Sequence, residues 1–212
     1  MREPDVTLTD YGLAAECALF AVILVRRTSN QFALRRAAAC FFFFLGLSAA
    51  TGGTVHGFCS TADSGTCASL WVLTLLSVGL ASASLWVTGA MLHSQKAAKP
   101  LALLAVPLLI VYGGAVLLVT QQFWIAFTAY LPAMLLLSFG FLKGGTPLPR
   151  TWRLIGVGGI AISLVSCAIQ YLKVGVHPVY LTHNALAHVI QGIAMALLFV
   201  TLQHATSAAR IA

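Results

Sequence analysis

Seven apolar runs divide the chain almost from end to end, at roughly 8–25, 33–58, 68–92, 100–119, 123–142, 152–172 and 182–203. An α-helix needs about 20 mostly apolar residues to cross the hydrocarbon core of a bilayer, and each run is close to that length or longer. Turn signals separate them: Thr28-Ser29-Asn30, Cys59 to Thr66, Ser94 to Pro100, Gln121-Gln122, Gly144 to Pro149, and Lys173 to Thr182. The residues are 59% hydrophobic and 8% charged, against about 25% charged in a soluble domain. So little polar surface does not cover a fold in water. The predicted architecture is all-α: a polytopic membrane protein, a bundle of about seven transmembrane helices in one domain over 1–212. Pro107 and Pro132 fall inside the fourth and fifth runs, where neighbouring helices can satisfy the freed carbonyls.

Charge sets the expected orientation. Arg26, Arg27, Arg35 and Arg36 lie at the junction of runs one and two, Lys96 and Lys99 at that of three and four, and Lys143, Arg150 and Arg153 at that of five and six. Arg210 follows the last run. With an odd number of spans all of these share one side, which the positive-inside rule makes cytoplasmic. The other side has Arg2 and Lys173, and it holds or borders all five acids: Glu3, Asp5, Asp10, Glu16 and Asp63. The expectation is a bacterial inner (plasma) membrane protein with its N-terminus outside. The net charge of +7 is then a topology signal. Nothing here forms a basic groove with interleaved aromatics, so nucleic acid is not an expected partner. The first run follows acids in place of a basic segment and lacks a small-residue cleavage site before Arg26-Arg27, which reads as a retained helix.

Ionisable groups within a span are costly, so each suggests a site. Asp10 falls at the outer mouth of span one, with Glu16 one to two turns deeper. His56 lies near the outer end of span two; His183 starts span seven, with His188 a little over a turn below. Three helices distant in sequence thus bring titratable groups to one depth. Asn184, His188 and Gln191 share a face of span seven. Ser163, Ser166, Cys167 and Gln170 stripe span six, and Ser48, Gly52 and His56 stripe span two. These stripes describe a polar pocket, or interhelical hydrogen bonds that only hold the bundle. Imidazoles suit zinc, which takes about three protein ligands when catalytic. His56 and His188 are the best pair, and His183 joins them if the helix begins near Thr182. Asp10 or Glu16 would then supply an oxygen ligand or a base for bound water. His93, His177 and His204 are weaker candidates. Cys59 and Cys67 flank the short outer loop, where a disulfide could close it in an oxidising compartment. Cys17, Cys40 and Cys167 read as packing residues.

The segments Thr9-Asp10-Tyr11, Gly52-Gly53-Thr54-Val55-His56-Gly57-Phe58, His177-Pro178 and His183-Asn184-Ala185-Leu186-Ala187-His188-Val189-Ile190-Gln191 resemble an uncharacterised family of small bacterial seven-helix proteins. More distantly, the layout is similar to the CREST superfamily of membrane hydrolases, which includes alkaline ceramidases and adiponectin-type receptors. That resemblance implies zinc on one histidine of span two and two of span seven, acting on lipid amides. His56 matches the span-two ligand, His188 the second span-seven ligand, and Glu16 the early acid. The chain departs from the pattern at Gly52, where the superfamily has serine, and at Asn184, where it has the first histidine of the pair. The span-three aspartate is missing.

Three functions follow as expectations. One is a zinc-dependent hydrolase of a membrane-lipid amide or ester at the outer face, with His56, His183 and His188 on the metal and Glu16 or Asp10 moving protons. Another is a non-enzymatic sensor, receptor or binding protein that takes a small hydrophobic or lipid ligand in the same outer pocket. The third is a haem protein with His56 and His188 as axial ligands. A transporter and a purely structural bundle are further alternatives.

Overall fold

The computed structural model describes residues 1–27, 31–59, 65–93, 95–143 and 148–207. Its elements are helices: α1 (Pro4–Arg26), α2 (Phe32–Phe58), α3 (Thr66–His93), α4 (Gln95–Leu103), α5 (Ala105–Leu118), α6 (Trp124–Lys143), α7 (Arg150–Tyr171) and α8 (His183–Ser207). The expected turn at Thr28-Ser29-Asn30, Asp63 in the loop before α3, Ser94, the first part of the turn at Gly144 and Arg210 lie outside the described residues. Among the described residues seven stretches are long and apolar enough to cross a membrane, the fourth being Ala98–Leu118.

That fourth stretch is not the single helix expected over 100–119. It breaks at Leu104, between α4 and α5. Pro100 lies inside α4, and Pro107 lies in the first turn of α5, where its missing N–H has no helical acceptor to lose. A tight turn closes the join, with Leu104 N donating to Leu101 O over 3.2 Å.

Helices adjacent in sequence pack side by side, α1 on α2 and α2 on α3, while α3 also packs on α6, α7 on α8, and α8 returns to α1. Aromatic rings fill the centre: Phe20 stacks on Phe199 with centroids 4.1 Å apart, and Phe42 meets both edge-on. Small residues set the closest approach, as membrane bundles require. A Cβ on Gly89 of α3 would lie 2.8 Å from the Leu137 N of α6. The outside is as apolar as the inside. On α5, Val111 is 71% and Leu118 86% exposed, a surface that suits lipid and not water.

The bundle has two unlike ends. At the end bearing the acids, Arg2 Nη1 donates to Cys59 O over 2.7 Å and Trp71 Nε1 to Gln121 O over 2.7 Å. Cys59 and Cys67 form a disulfide there, with Cα atoms 5.7 Å apart. At the opposite, basic end, Arg27 Nη1 donates to Ser207 Oγ over 3.3 Å and His204 stacks on Trp152.

Candidate functional site at the acidic end

Asp10 is brought inside by α2. A Cβ on Gly53 would stand 2.7 Å from the Asp10 Cβ, so the bare glycine makes the room that the carboxylate-bearing turn of α1 occupies. From this seam Asp10 reaches α8, where its Oδ1 lies 3.4 Å from His188 Nδ1. Thr9 Oγ1 also lies 3.4 Å from His188 Nδ1. The two side chains are 6% and 16% exposed. In so little solvent each makes the other tenable, because removing one leaves the other's polar group uncompensated.

Two further carboxylates, one on the N-cap Glu3 and one on Asp5 of the first turn, tie α1 to the same neighbours. Glu3 Oε2 lies 2.8 Å from His56 Nδ1 in a more open setting. Asp5 Oδ2 accepts from Thr182 N over 3.0 Å and from Thr182 Oγ1 over 2.7 Å. Thr182 immediately precedes α8, and a negative group there faces the positive end of the helix dipole. Three acids, the N-cap Glu3 and Asp5 and Asp10 of α1, thus reach α2 and the first turns of α8.

This geometry redistributes the expected metal ligands. His56 and His188 stand at the acidic end, but each faces its own carboxylate of α1. His183 lines a cleft at the start of α8. Among the described residues no three His, Cys, Asp or Glu side chains gather as a metal ion requires, so the donors do not fit a three-ligand zinc centre. Glu16 is half-buried between α1 and α8, its Oε2 3.0 Å from where a Cβ on Gly192 would stand. It lies six residues beyond Asp10 and joins neither pair.

The expected pocket residues on α7 and α8 spend their hydrogen bonds on one another. Ser163 Oγ donates to Gln191 Oε1 over 2.8 Å, Ser166 Oγ to Ala187 O over 2.6 Å, and Gln170 Nε2 to Asn184 Oδ1 over 3.3 Å. They fasten α7 to α8. Ser48 is buried in α2, and its carbonyl accepts from Thr51 Oγ1 over 3.2 Å.

The open space lies above the pair. A cleft of about 560 Å³ is lined by Glu3, Val6, Lys173, His177, Thr182, His183 and Asn184, among others. Val6 and Asn184 are four residues before Asp10 and His188 on their respective helices, so they share faces with them. The Asp10–His188 pair therefore lies about one helical turn below the cleft, roughly 6 Å. A second cavity, about 360 Å³ between α3, α5 and α6, is almost wholly apolar. Its Tyr112 hydroxyl is spent on Leu75 O over 2.8 Å. Titratable chemistry belongs to the first.

Glu3, Asp5, Thr9, Thr182 and Lys173 were not singled out as site residues by sequence. The signal available was the density of acids in the first turns of α1, which charge counting assigned to topology. His93 and His204 lie at the basic end, while His177 borders the cleft with its Nδ1 accepting from Val179 N and Tyr180 N.

The chain belongs to a family of unknown function, DUF6962, whose profile matches residues 6–207. No curated protein and no solved structure matches it, and these comparisons lend no support to the expected likeness to the CREST superfamily.

Proposed function

For this member of that family we propose a non-enzymatic binding protein of receptor or sensor type, which takes a small amphipathic ligand at the acidic end of the bundle. The observation that supports it is the cleft of about 560 Å³ seated one turn above the buried Asp10–His188 pair. Lys173 offers a cation to an acidic headgroup, and Val6, Val176 and Pro178 offer apolar contact. A ligand there bears on the Asp5–Thr182 contact and so on the spacing of α1 and α8. The pair below responds to that spacing, which gives occupancy a way to bias the bundle between two states. With the basic end cytoplasmic, the cleft faces outward from a plasma membrane.

The test is thermal unfolding of the purified protein in maltoside detergent with added oleate or lysophosphatidylglycerol. At least one raises the midpoint, and Lys173→Ala removes the increase without lowering the midpoint of the unliganded protein. If neither amphiphile shifts the wild type, the reading fails.

A lipid amide or ester hydrolase remains the second reading, favoured by one feature: Asp10 sits at His188 Nδ1, which leaves Nε2 available as a general base. Since the described donors do not fit a three-ligand zinc centre, the base in this reading is the imidazole itself. Turnover of a fluorogenic lipid ester by the wild type, abolished in His188→Ala, would favour it. Elemental analysis separates this form from a zinc enzyme.

A further inference from the structure

Arg35 sits in the second turn of α2 at the basic end of the bundle, and it is only 7% exposed. Among the described residues its Nε and Nη1 have no hydrogen-bond partner. Arginines near the ends of spanning helices usually extend to carry the head into water; this one does not. Arginine keeps its charge when buried, so the burial calls for a counter-ion.

Among the described residues the chain does not supply one. Its acids are Glu3, Asp5, Asp10, Glu16 and Asp63. Helix α1 runs antiparallel to α2, with Gly53 against Asp10 and Gly46 against Ala14 and Cys17. Glu16 is therefore level with Gly46, eleven residues along α2 from Arg35 and about 16 Å away. Asp10, Asp5 and Glu3 are farther still, and Asp63 lies outside the described residues.

Two further features gather positive character around Arg35. The Phe32 ring draws in two guanidinium groups, with the Cζ atoms of Arg35 and Arg36 at 5.4 and 5.0 Å from its centroid. Among the described residues no side chain caps the first turn of α2, which leaves N–H groups at its positive dipole end. Helical side chains lean back toward the N-terminus, so Arg35 leans toward those groups. A guanidinium fork beside helix N-terminal amides is the chemistry that binds phosphate oxygens.

We propose that Arg35, with Arg36 and the first-turn amides of α2, holds a phosphate oxyanion at the basic end. A lipid phosphodiester and free phosphate share that chemistry. The site is separate from the cleft at the opposite end and does not depend on the function proposed for it.

The test uses the full chain in dodecyl maltoside, which contains no phosphorus. Inorganic phosphate and phosphatidylglycerol mixed micelles are titrated separately, reading the unfolding midpoint; bound phosphorus is measured after gel filtration, including on the protein as purified. The expected result is a raised midpoint or retained phosphorus with at least one probe. Arg35→Gln weakens its binding about 10- to 100-fold, the range for losing a charge-assisted contact, and Arg36→Gln weakens it less. Response to both probes assigns the phosphate group itself, and response to phosphatidylglycerol alone assigns the lipid. Should Arg35→Gln not fold, Arg35→Lys keeps the charge but loses the fork, and weaker binding is again expected. No shift and no phosphorus with either probe overturns the proposal, as does unchanged affinity in every Arg35 variant that folds.

Discussion

His188 Nδ1 lies 3.4 Å from Asp10 Oδ1, across the seam where α8 meets α1. The contact joins the last span to the first, while the neighbouring acids of α1 reach His56 on α2 and Thr182 ahead of α8. The helix and its N-cap thus use three carboxylates to hold the acidic end together. Because the pair is nearly excluded from solvent, its members depend on each other more than an exposed ion pair would. Asp10→Asn and His188→Gln should each lower the unfolding midpoint, and the double variant should fall short of the sum. The expected coupling is about 1–3 kcal/mol, read from a double-mutant cycle of detergent unfolding. Additive losses would mean that the two side chains act independently.

Gly53 supports that pair from the α2 side. A methyl group at this position meets the Asp10 Cβ at 2.7 Å, and both atoms are anchored close to their backbones. Gly53→Ala should therefore push α1 away and cost about 1–3 kcal/mol, with a larger penalty for Gly53→Val. Asp10→Ala should not rescue it, since the clash is with a Cβ that alanine retains. Unfolding of the two single variants and the double variant checks this directly.

The spans were legible because their cause is local: an apolar stretch of sufficient length makes a helix in lipid whatever surrounds it. The break at Leu104 was not, because Pro100 and Pro107 are each tolerated in an apolar run and only the backbone shows which gives way. The level at which Asp10, His56 and His188 sit followed from counting residues along helices. Their partners did not, since the side-chain register between α1, α2 and α8 is a tertiary fact. Arg35 illustrates the same limit. Its charge was read as a topology signal shared with Arg36, whereas its burial comes from packing around α2 and has no signature in the sequence.

The Cys59–Cys67 bridge closes a short loop between α2 and α3, and Arg2 Nη1 is bonded to the Cys59 carbonyl. The bridge should stabilise the acidic end by constraining the unfolded chain, by about 2.5 kcal/mol for a loop of this size. Paired Cys59→Ser and Cys67→Ser substitution should lower the unfolding midpoint without disturbing the basic end. Proteolysis under reducing and non-reducing conditions tests the locality: new cleavage should fall between α2 and α3.

Two glycines of α7, two residues apart, should respond with opposite sign. A Cβ on Gly156 would stand 2.7 Å from the Phe141 ring of α6 and 2.8 Å from Thr201 Cγ2 of α8, whereas one on Gly158 meets nothing within 4 Å. Gly156→Ala has to part α7 from both neighbours and should destabilise by about 1–3 kcal/mol. Gly158→Ala adds a methyl group to open space and restricts the unfolded chain, so it should be neutral or stabilise by up to about 1 kcal/mol. The contrast isolates packing from helix propensity, because both substitutions change propensity alike. Equal midpoints for the two variants would show that α7 is not seated between α6 and α8 as described.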